Sequence, residues 1–377
     1  MARMWSMPVV SEFVMPLRAA RRCTVVLAFG LVGVLSPAQA ATVFPALARP
    51  ALQVKAPERQ VLQTAARAGE RIVAIGERGL VVLSDDQGQR WRQARQVPVS
   101  VSLTALSFVD TQRGWAVGHG GVILHTADGG ETWTRQADGV ALAKAALADA
   151  EQRAAQRPGD AAAERALADA RRLVDDGADK PLLDVRFIDA RRGWVVGAYN
   201  LFFETTDGGA TWRSVSTRLD NPRALHLNAL AVRGQTVFIA GEQGVLYRSL
   251  DAGQSFKALA SPYKGSWFSV ALGDDGAVTV GGLRGNAFRS ADGGASWSAI
   301  EGLPPVSIVA ASASADGGVL LSNQAGQLFV ARGNAPAQPL RVAPMPPLNG
   351  LLVLGRQAVV ALGFGGAISL DLSGSGK

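Results

Sequence analysis

The sequence predicts an all-β chain: a seven-bladed β-propeller with a helical hairpin inserted between blades 2 and 3. Three observations predict it. An eight-residue pattern, Ser/Thr-x-Asp-x-Gly-x-Ser/Thr-Trp, recurs five times. A second pattern, apolar run, Gly-x-x-Gly and apolar run, recurs seven times. The units repeat at close to forty residues, the period of a four-stranded propeller blade.

The best copy of the eight-residue box is Thr126-Ala127-Asp128-Gly129-Gly130-Glu131-Thr132-Trp133. It returns at 205–212 and 290–297. Two weaker copies, at 84–91 and 249–256, carry Arg90 in place of the second hydroxyl and Phe256 in place of Trp. These residues suit a tight hairpin. Asp accepts hydrogen bonds from backbone N–H groups just ahead of it. Gly permits the positive φ that closes the turn. The hydroxyls hold the loop ends, and the aromatic re-enters the core between neighbouring sheets. Asp86, Asp128, Asp207, Asp251 and Asp292, with Trp91, Trp133, Trp212, Phe256 and Trp297, are therefore read as structural.

The tetrads, five of them strict Gly-x-x-Gly and two with Asn200 or Asn323 in place of one glycine, end at residues 79, 121, 200, 244, 285, 326 and 366. In the second unit the strands fall at 103–109 (A), 114–117 (B), 122–125 (C) and 133–136 (D). The tetrad is the B–C turn and the box the C–D turn. The long step between 121 and 200 contains an Ala-rich, charged stretch at 140–179. Residues 141–157 and 160–175 read as helices broken at Pro158-Gly159, with Asp160 as an N-cap. Removing this hairpin restores the common period. The seventh unit ends after its third strand, at 367–372. The apolar stretch 43–54 is expected to supply the fourth strand and close the ring.

The N-terminus reads as a secretory leader. Arg18, Arg21 and Arg22 precede an apolar run at 23–35, then Ala38-Gln39-Ala40, so cleavage is expected after Ala40. Met7 or Met15 is an alternative start, and an uncleaved anchor is the alternative fate. Cys23, the only cysteine, lies in the leader, so the mature chain at 41–377 has no disulfide or Cys-based metal site. The formal charge of +7 includes a net +3 from residues 1–40; about +4 remains, and no basic block with interleaved aromatics points to nucleic acid. The composition, 48% hydrophobic and 18% charged, is enough for a large core.

Catalytic patterns are missing. His119, His125 and His226 are the only histidines, and none stands at metal-ligand spacing. No Gly-x-Ser-x-Gly elbow or phosphate loop occurs. Sialidases share the box, so a sialidase-like glycoside hydrolase is the alternative function. That chemistry needs an arginine cluster and a Tyr nucleophile, and the chain has only Tyr199, Tyr247 and Tyr263.

Two units carry a resemblance: Gly114-Trp115-Ala116-Val117-Gly118 with 126–133, and Gly193-Trp194-Val195-Val196-Gly197 with 205–212. Over residues 59–371 the chain resembles the photosystem II stability/assembly factor family, a branch of the sialidase-type BNR-repeat propellers. The resemblance implies a non-enzymatic exported propeller without cofactors. In phototrophs it implies help in inserting and stabilising reaction-centre subunits on the lumenal side. Outside phototrophs it implies association with exporter-type membrane proteins. The hairpin at 140–179 departs from the plain family pattern.

The expected protein is thus a monomer in the periplasm, or the thylakoid lumen of a phototroph. It binds a membrane protein or its exported segment, with no metal, cofactor or nucleic acid. Its binding face is expected where the B–C and D–A connections meet. The B–C turns place Arg78, His119, Tyr199, Gln243, Arg284 and Phe364 there. The D–A connections add Arg95, Arg218, Arg223, Lys264 and Trp267. Arginine and aromatic side chains are enriched at interface hot spots, and the 140–179 hairpin is expected to overhang this face.

Overall fold

The computed structural model describes residues 44–314, 317–355 and 358–373. The expected leader, with Cys23 and the Ala40-Ala41 junction, lies outside them. Seven antiparallel sheets are present, each built from one continuous stretch of chain. Blade 1 is Leu62–Ala68, Arg71–Gly76, Val81–Ser84 and Arg92–Gln93; blade 2 is Leu103–Phe108, Gly114–Gly118, Ile123–Thr126 and Thr134–Ala137. Blade 3 is Leu182–Phe187, Gly193–Gly197, Phe202–Thr205 and Arg213–Ser214; blade 4 is Leu227–Arg233, Thr236–Gly241, Leu246–Ser249 and Lys257–Ala258. Blade 5 is Trp267–Leu272, Val278–Gly282, Ala287–Ser290 and Ser298–Ala299; blade 6 is Ile308–Ala313, Val319–Asn323, Leu328–Ala331 and Gln338–Pro339. Blade 7 has three strands, Leu348–Val353, Ala358–Gly363 and Gly366–Asp371.

The A strands pack on one another in blade order, and blade 7's packs on blade 1's, so the ring is closed. B strands such as Gly114–Gly118 and Gly193–Gly197 are buried throughout, because each blade is covered on both faces. That is why they read as unbroken apolar runs rather than alternating ones.

Among the described residues, closure does not use a shared blade. The expectation that 43–54 completes blade 7 fails for every described residue of that stretch. Pro45 opens a short turn at Pro45–Leu47, and the chain then follows blade 1's outer edge. Ser100 N donates to Ala46 O, Ala51 N to Val97 O, and Val54 N to Gln93 Oε1. Two prolines within the stretch oppose a ladder strand. Side chains and close packing join blades 7 and 1 instead. Asn349 Nδ2 donates to Leu62 O at 3.1 Å, Arg67 Nη1 to Leu354 O at 3.0 Å, and Ser369 Oγ to Gly88 O at 2.7 Å.

Each box is a self-bonded turn. Asp128 Oδ1 accepts from Thr132 N (2.9 Å) and Thr126 Oγ1 (2.8 Å), while Oδ2 accepts from Thr132 Oγ1 (2.6 Å). Gly130 N donates to Thr126 Oγ1, and Gly129 and Gly130 both take positive φ. In the divergent first box, Arg90 Nε donates to Asp86 Oδ2 at 2.8 Å and replaces the absent hydroxyl. The indoles of Trp91 and Trp133 donate to Gly88 O and Gly130 O, which ties each aromatic to its own turn.

The boxes also bond outward. In all five, a carbonyl accepts from the preceding blade. The donors are Ser369 for Gly88, Arg71 for Gly129, and Trp115 with Gln136 for Gly208. Arg192 and Arg218 serve Ala252 and Gly253, and Arg248 serves Gly293.

The hairpin comprises α1 (Gly139–Gln156) and α2 (Ala161–Asp176), N-capped by Asp138 and Asp160. It is not a free arm over the face, as the sequence suggested. Leu142, Ala146 and Ala150 are buried in the core that also holds Phe203 and Trp212. Asp149 and Arg153, one helical turn apart, cover the exposed edge of blade 3. Ser214 N donates to Asp149 Oδ2, and Arg153 Nη2 donates to Ser214 O, both at 2.8 Å. An edge strand otherwise presents such groups unpaired.

Trp133 and Trp212 are buried between blades, so Trp133→Ala and Trp212→Ala should each cost roughly 3–5 kcal/mol, the range for removing a buried aromatic. Chemical denaturation with a common m-value will measure this. A loss below about 1 kcal/mol would mean that the aromatic does not hold its blade in place.

Candidate functional site

Antiparallel strands put the B–C turns and D–A connections at one end of the ring and the A–B and C–D turns at the other. The boxes occupy the second end. The first presents most of the candidate binding residues.

At the B–C turns, Arg78, Tyr199, Gln243 and Arg284 have φ between 51° and 58°. Their side chains are exposed. The equivalent position in blade 2 is Gly120, at φ 69°. An L-residue in this left-handed region costs roughly 1–2 kcal/mol relative to right-handed backbone. The turn itself needs no side chain there, as blade 2 demonstrates. His119 is exposed beside Gly120, and Phe364 and Leu283 stand out from the same end, 60% and 37% exposed. Arg223 reaches across this end, donating to Gln243 Oε1 at 2.7 Å, and Lys264 is exposed. Tyr199 is held by His226, edge to face at 4.8 Å, and by Lys180 Nζ, 5.1 Å from its ring centre.

Three candidates are placed elsewhere. Trp267 is completely buried, packed against Tyr263 and Phe288 between blades 4 and 5. Arg95 turns to the box end, 3.8 Å from both Asp128 and Glu131, because the chain after blade 1 runs back beside the blade-2 box. Arg218 is forked onto Glu204 at 2.6 and 2.7 Å and also bonds Gly253 O, clamping blade 3 to blade 4. Both arginines have acidic partners distant in sequence, and no local pattern announces them.

A cleft of about 770 Å³ lies between the hairpin and the 216–224 connection, with Tyr199 and Lys180 at one side and Ala150, Ala170 and Leu173 among its apolar lining. Among the described residues no group of three or more His, Cys, Asp or Glu could hold a metal ion, and no helix is long and apolar enough to cross a membrane. Tyr247, the candidate nucleophile of a hydrolase, is buried, and its hydroxyl donates to Asp220 O at 2.8 Å. Burial, with the charge of Asp220, pushes its pKa up to about 12.

The fold and its boxes define a BNR-repeat propeller. A family profile described as photosynthesis system II assembly factor YCF48 matches residues 164–333. A 77-residue stretch is 39% identical to the photosystem II assembly lipoprotein Ycf48 of Synechococcus sp. (strain CC9902), covering 20% of this chain and 23% of that protein. Another, of 79 residues, is 30% identical to the chloroplastic photosystem II stability/assembly factor HCF136 of Arabidopsis thaliana, covering 20% of each. The matched stretches thus span a quarter or less of these curated relatives. Over these stretches the chain is similar to photosystem II assembly factors.

Among solved structures, "YCF48 bound to D1 peptide" superposes with a TM-score of 0.60 at 15% identity, covering 86% of this chain and 99% of that one. The GH74 xyloglucanase of Xanthomonas campestris gives 0.61 at 14% identity, covering 85% and 53%. At these identities the likeness is one of fold.

Beneath the face, Asp184 of blade 3 is buried beside the axis. It accepts from Val185 N and Leu230 N at 2.8 Å and lies 3.1 Å from Arg186 Nη1. Burial pushes its pKa up against the pull of Arg186 and the two amides. A carboxyl raised on folding adds stability that is full below its unfolded value, near 3.9, and lost as pH rises through its folded value. The box aspartates act oppositely. The hydrogen bonds from Arg90 lower Asp86 to about 2, so its contribution is present above the unfolded value and lost in acid. As pH rises above the unfolded value, the wild type should therefore lose stability relative to Asp184→Asn. Parallel melting curves would show that Asp184 titrates normally.

Proposed function

We propose that this chain is a non-enzymatic, exported binding module that assembles or stabilises a membrane protein complex. Its first face docks an exported segment of that partner. The carrying observation is the set of four left-handed B–C positions. Arg78, Tyr199, Gln243 and Arg284 keep strained backbone that glycine would relieve, and strain of this kind concentrates at ligand-binding sites. Exposed Phe364 and Leu283 beside the arginines give the apolar and cationic mixture typical of binding hot spots. The family likeness supports a protein partner. One structural relative, YCF48, is seen bound to a D1 peptide. In a phototroph the corresponding partner is a reaction-centre subunit; in a non-phototroph it is an exporter-type membrane protein.

Affinity capture from solubilised host membranes tests this. The wild type should retain a membrane protein that Arg78→Glu with Arg284→Glu loses. Arg78→Gly with Arg284→Gly should also weaken capture while folding at least as stably, by up to about 1 kcal/mol, since each relieves left-handed strain. Equal capture by all three would place the binding surface elsewhere.

The proposed location is the periplasm, or the lumen in a phototroph, after cleavage behind Ala40. Protein purified from that compartment should begin at Ala41. A retained 23–35 segment in the membrane fraction would replace the cleaved leader with an anchor.

A sialidase-like or other glycoside hydrolase is the second reading, favoured by the fold likeness to the GH74 enzyme. The buried, bonded and weakly acidic Tyr247 argues against a sialidase-type nucleophile.

A further inference from the structure

Six blades end in an outer D strand, and blade 7 has none among the described residues. The six supply a template for what its edge would accept. In each, the residue opposite the next-to-last B-strand position begins the pairing with D. Ile75 faces Val81, Val196 faces Phe202, Ala240 faces Leu246, Gly281 faces Ala287, and Ser322 faces Leu328. The carbonyl of that second residue accepts the N–H of an apolar residue just past D. The donors, in the same order, are Ala94, Val215, Leu259, Ile300 and Leu340, each at 2.9 Å. In blade 2 the same pair is Ile123 and Ala137, held in the ladder.

In blade 7 the next-to-last B-strand position is Leu362, and it faces Ala367. Ala367 is therefore the counterpart of Val81. By the two-residue alternation of a strand, Ala367 and Ser369 turn their N–H and C=O groups outward. No described backbone group bonds them on that side.

The template also specifies side chains. The segment that pairs with the C strand reads Trp91-Arg-Gln-Ala94, Trp212-Arg-Ser-Val215, Phe256-Lys-Ala-Leu259 and Trp297-Ser-Ala-Ile300. The aromatic packs against the preceding blade: Trp91 beside Leu352 of blade 7, Trp133 beside Leu83 of blade 1, and Phe256 on Phe202 of blade 3. On blade 6 the corresponding surface offers Val330 and Leu340, both only partly buried.

We infer that the open edge of blade 7 is a strand-addition site for an extended partner segment of the form aromatic-x-x-aliphatic. The partner's aliphatic residue donates its N–H to Ala367 O, its chain runs antiparallel along 367–369, and its aromatic enters between blades 6 and 7. Main-chain bonds give such a site affinity and the side-chain sockets give it selectivity. Two segments of the chain itself are less suited. Residues 374–377 are Gly-Ser-Gly-Lys, with neither an aromatic nor an aliphatic residue and poor strand formers. The stretch leading into the ring passes Phe44 to Leu47 beside blade 2, where Leu47 abuts Gly120. The edge lies on the outer rim, apart from the charged turns of the first face, and its test is independent of theirs.

The probe is a synthetic peptide copying residues 292–301, with a control carrying Trp297→Ser and Ile300→Asp. Binding to the full chain is read by fluorescence anisotropy, and amide exchange is followed at Ala367 and Ser369. Without peptide both amides should exchange freely. The peptide should bind and protect them, and the control should bind at least tenfold more weakly. Ser369→Pro removes one outward N–H at an edge position that tolerates proline and should weaken binding at least tenfold. Ser369→Ala keeps the N–H, loses the hydroxyl bond to Gly88, and should bind as the wild type. Thermal melts confirm that both variants are folded. Protection of the two amides without peptide would mean that the chain covers its own edge, and would overturn the inference. Unchanged binding by a folded Ser369→Pro variant would do the same.

Discussion

The ring depends on one hydrogen bond made five times: a carbonyl in the Asp box accepts a donor from the blade before it. A carbonyl has this role only if its turn is rigid, and the box makes it so. The aspartate ties the turn from below, the first hydroxyl ties it across, and the aromatic anchors it against the neighbouring blade. The seven donors to the five boxes are chemically varied: serine, arginine, tryptophan and glutamine. The acceptor is always a carbonyl at the fourth or fifth place of the box. The chain therefore keeps the box from blade to blade and lets the partner side chain drift.

This explains what the sequence made legible. The boxes, the forty-residue period and the inserted hairpin are local patterns, repeated within one chain, and all appear in the fold. Asp128 shows the directness of the link: every bond it accepts comes from within four residues. Arg90 shows its limit. A departure from the pattern at the seventh place proved to be a substitute donor to the same oxygen.

What stayed hidden depended on contacts between distant segments. Arg218 and Glu204 are fourteen residues apart and Arg95 and Glu131 thirty-six, and neither pair follows a repeat. Both arginines looked free in sequence because charge alone does not announce its partner. Trp267 looked like a surface aromatic because it opens a strand after a polar connection, yet its ring is buried between blades 4 and 5. The face residues that remain exposed are those in B–C turns, with Arg223 and Lys264. A turn between two buried strands fixes which way its tip must point, so these were the positions that sequence could place.

The seam between blades 7 and 1 has a different kind of consequence. Its bonds join residues up to 287 positions apart, yet among the described residues no blade is assembled from both ends of the chain. Each blade is a local unit of consecutive strands, and the ring is a circular queue of such units. Folding can thus begin in any blade and spread through neighbours, with the longest loop closed last, when the entropy of closure has already been reduced by ordered intermediates. The order in which the blades follow one another matters to the architecture. Which of them comes first does not.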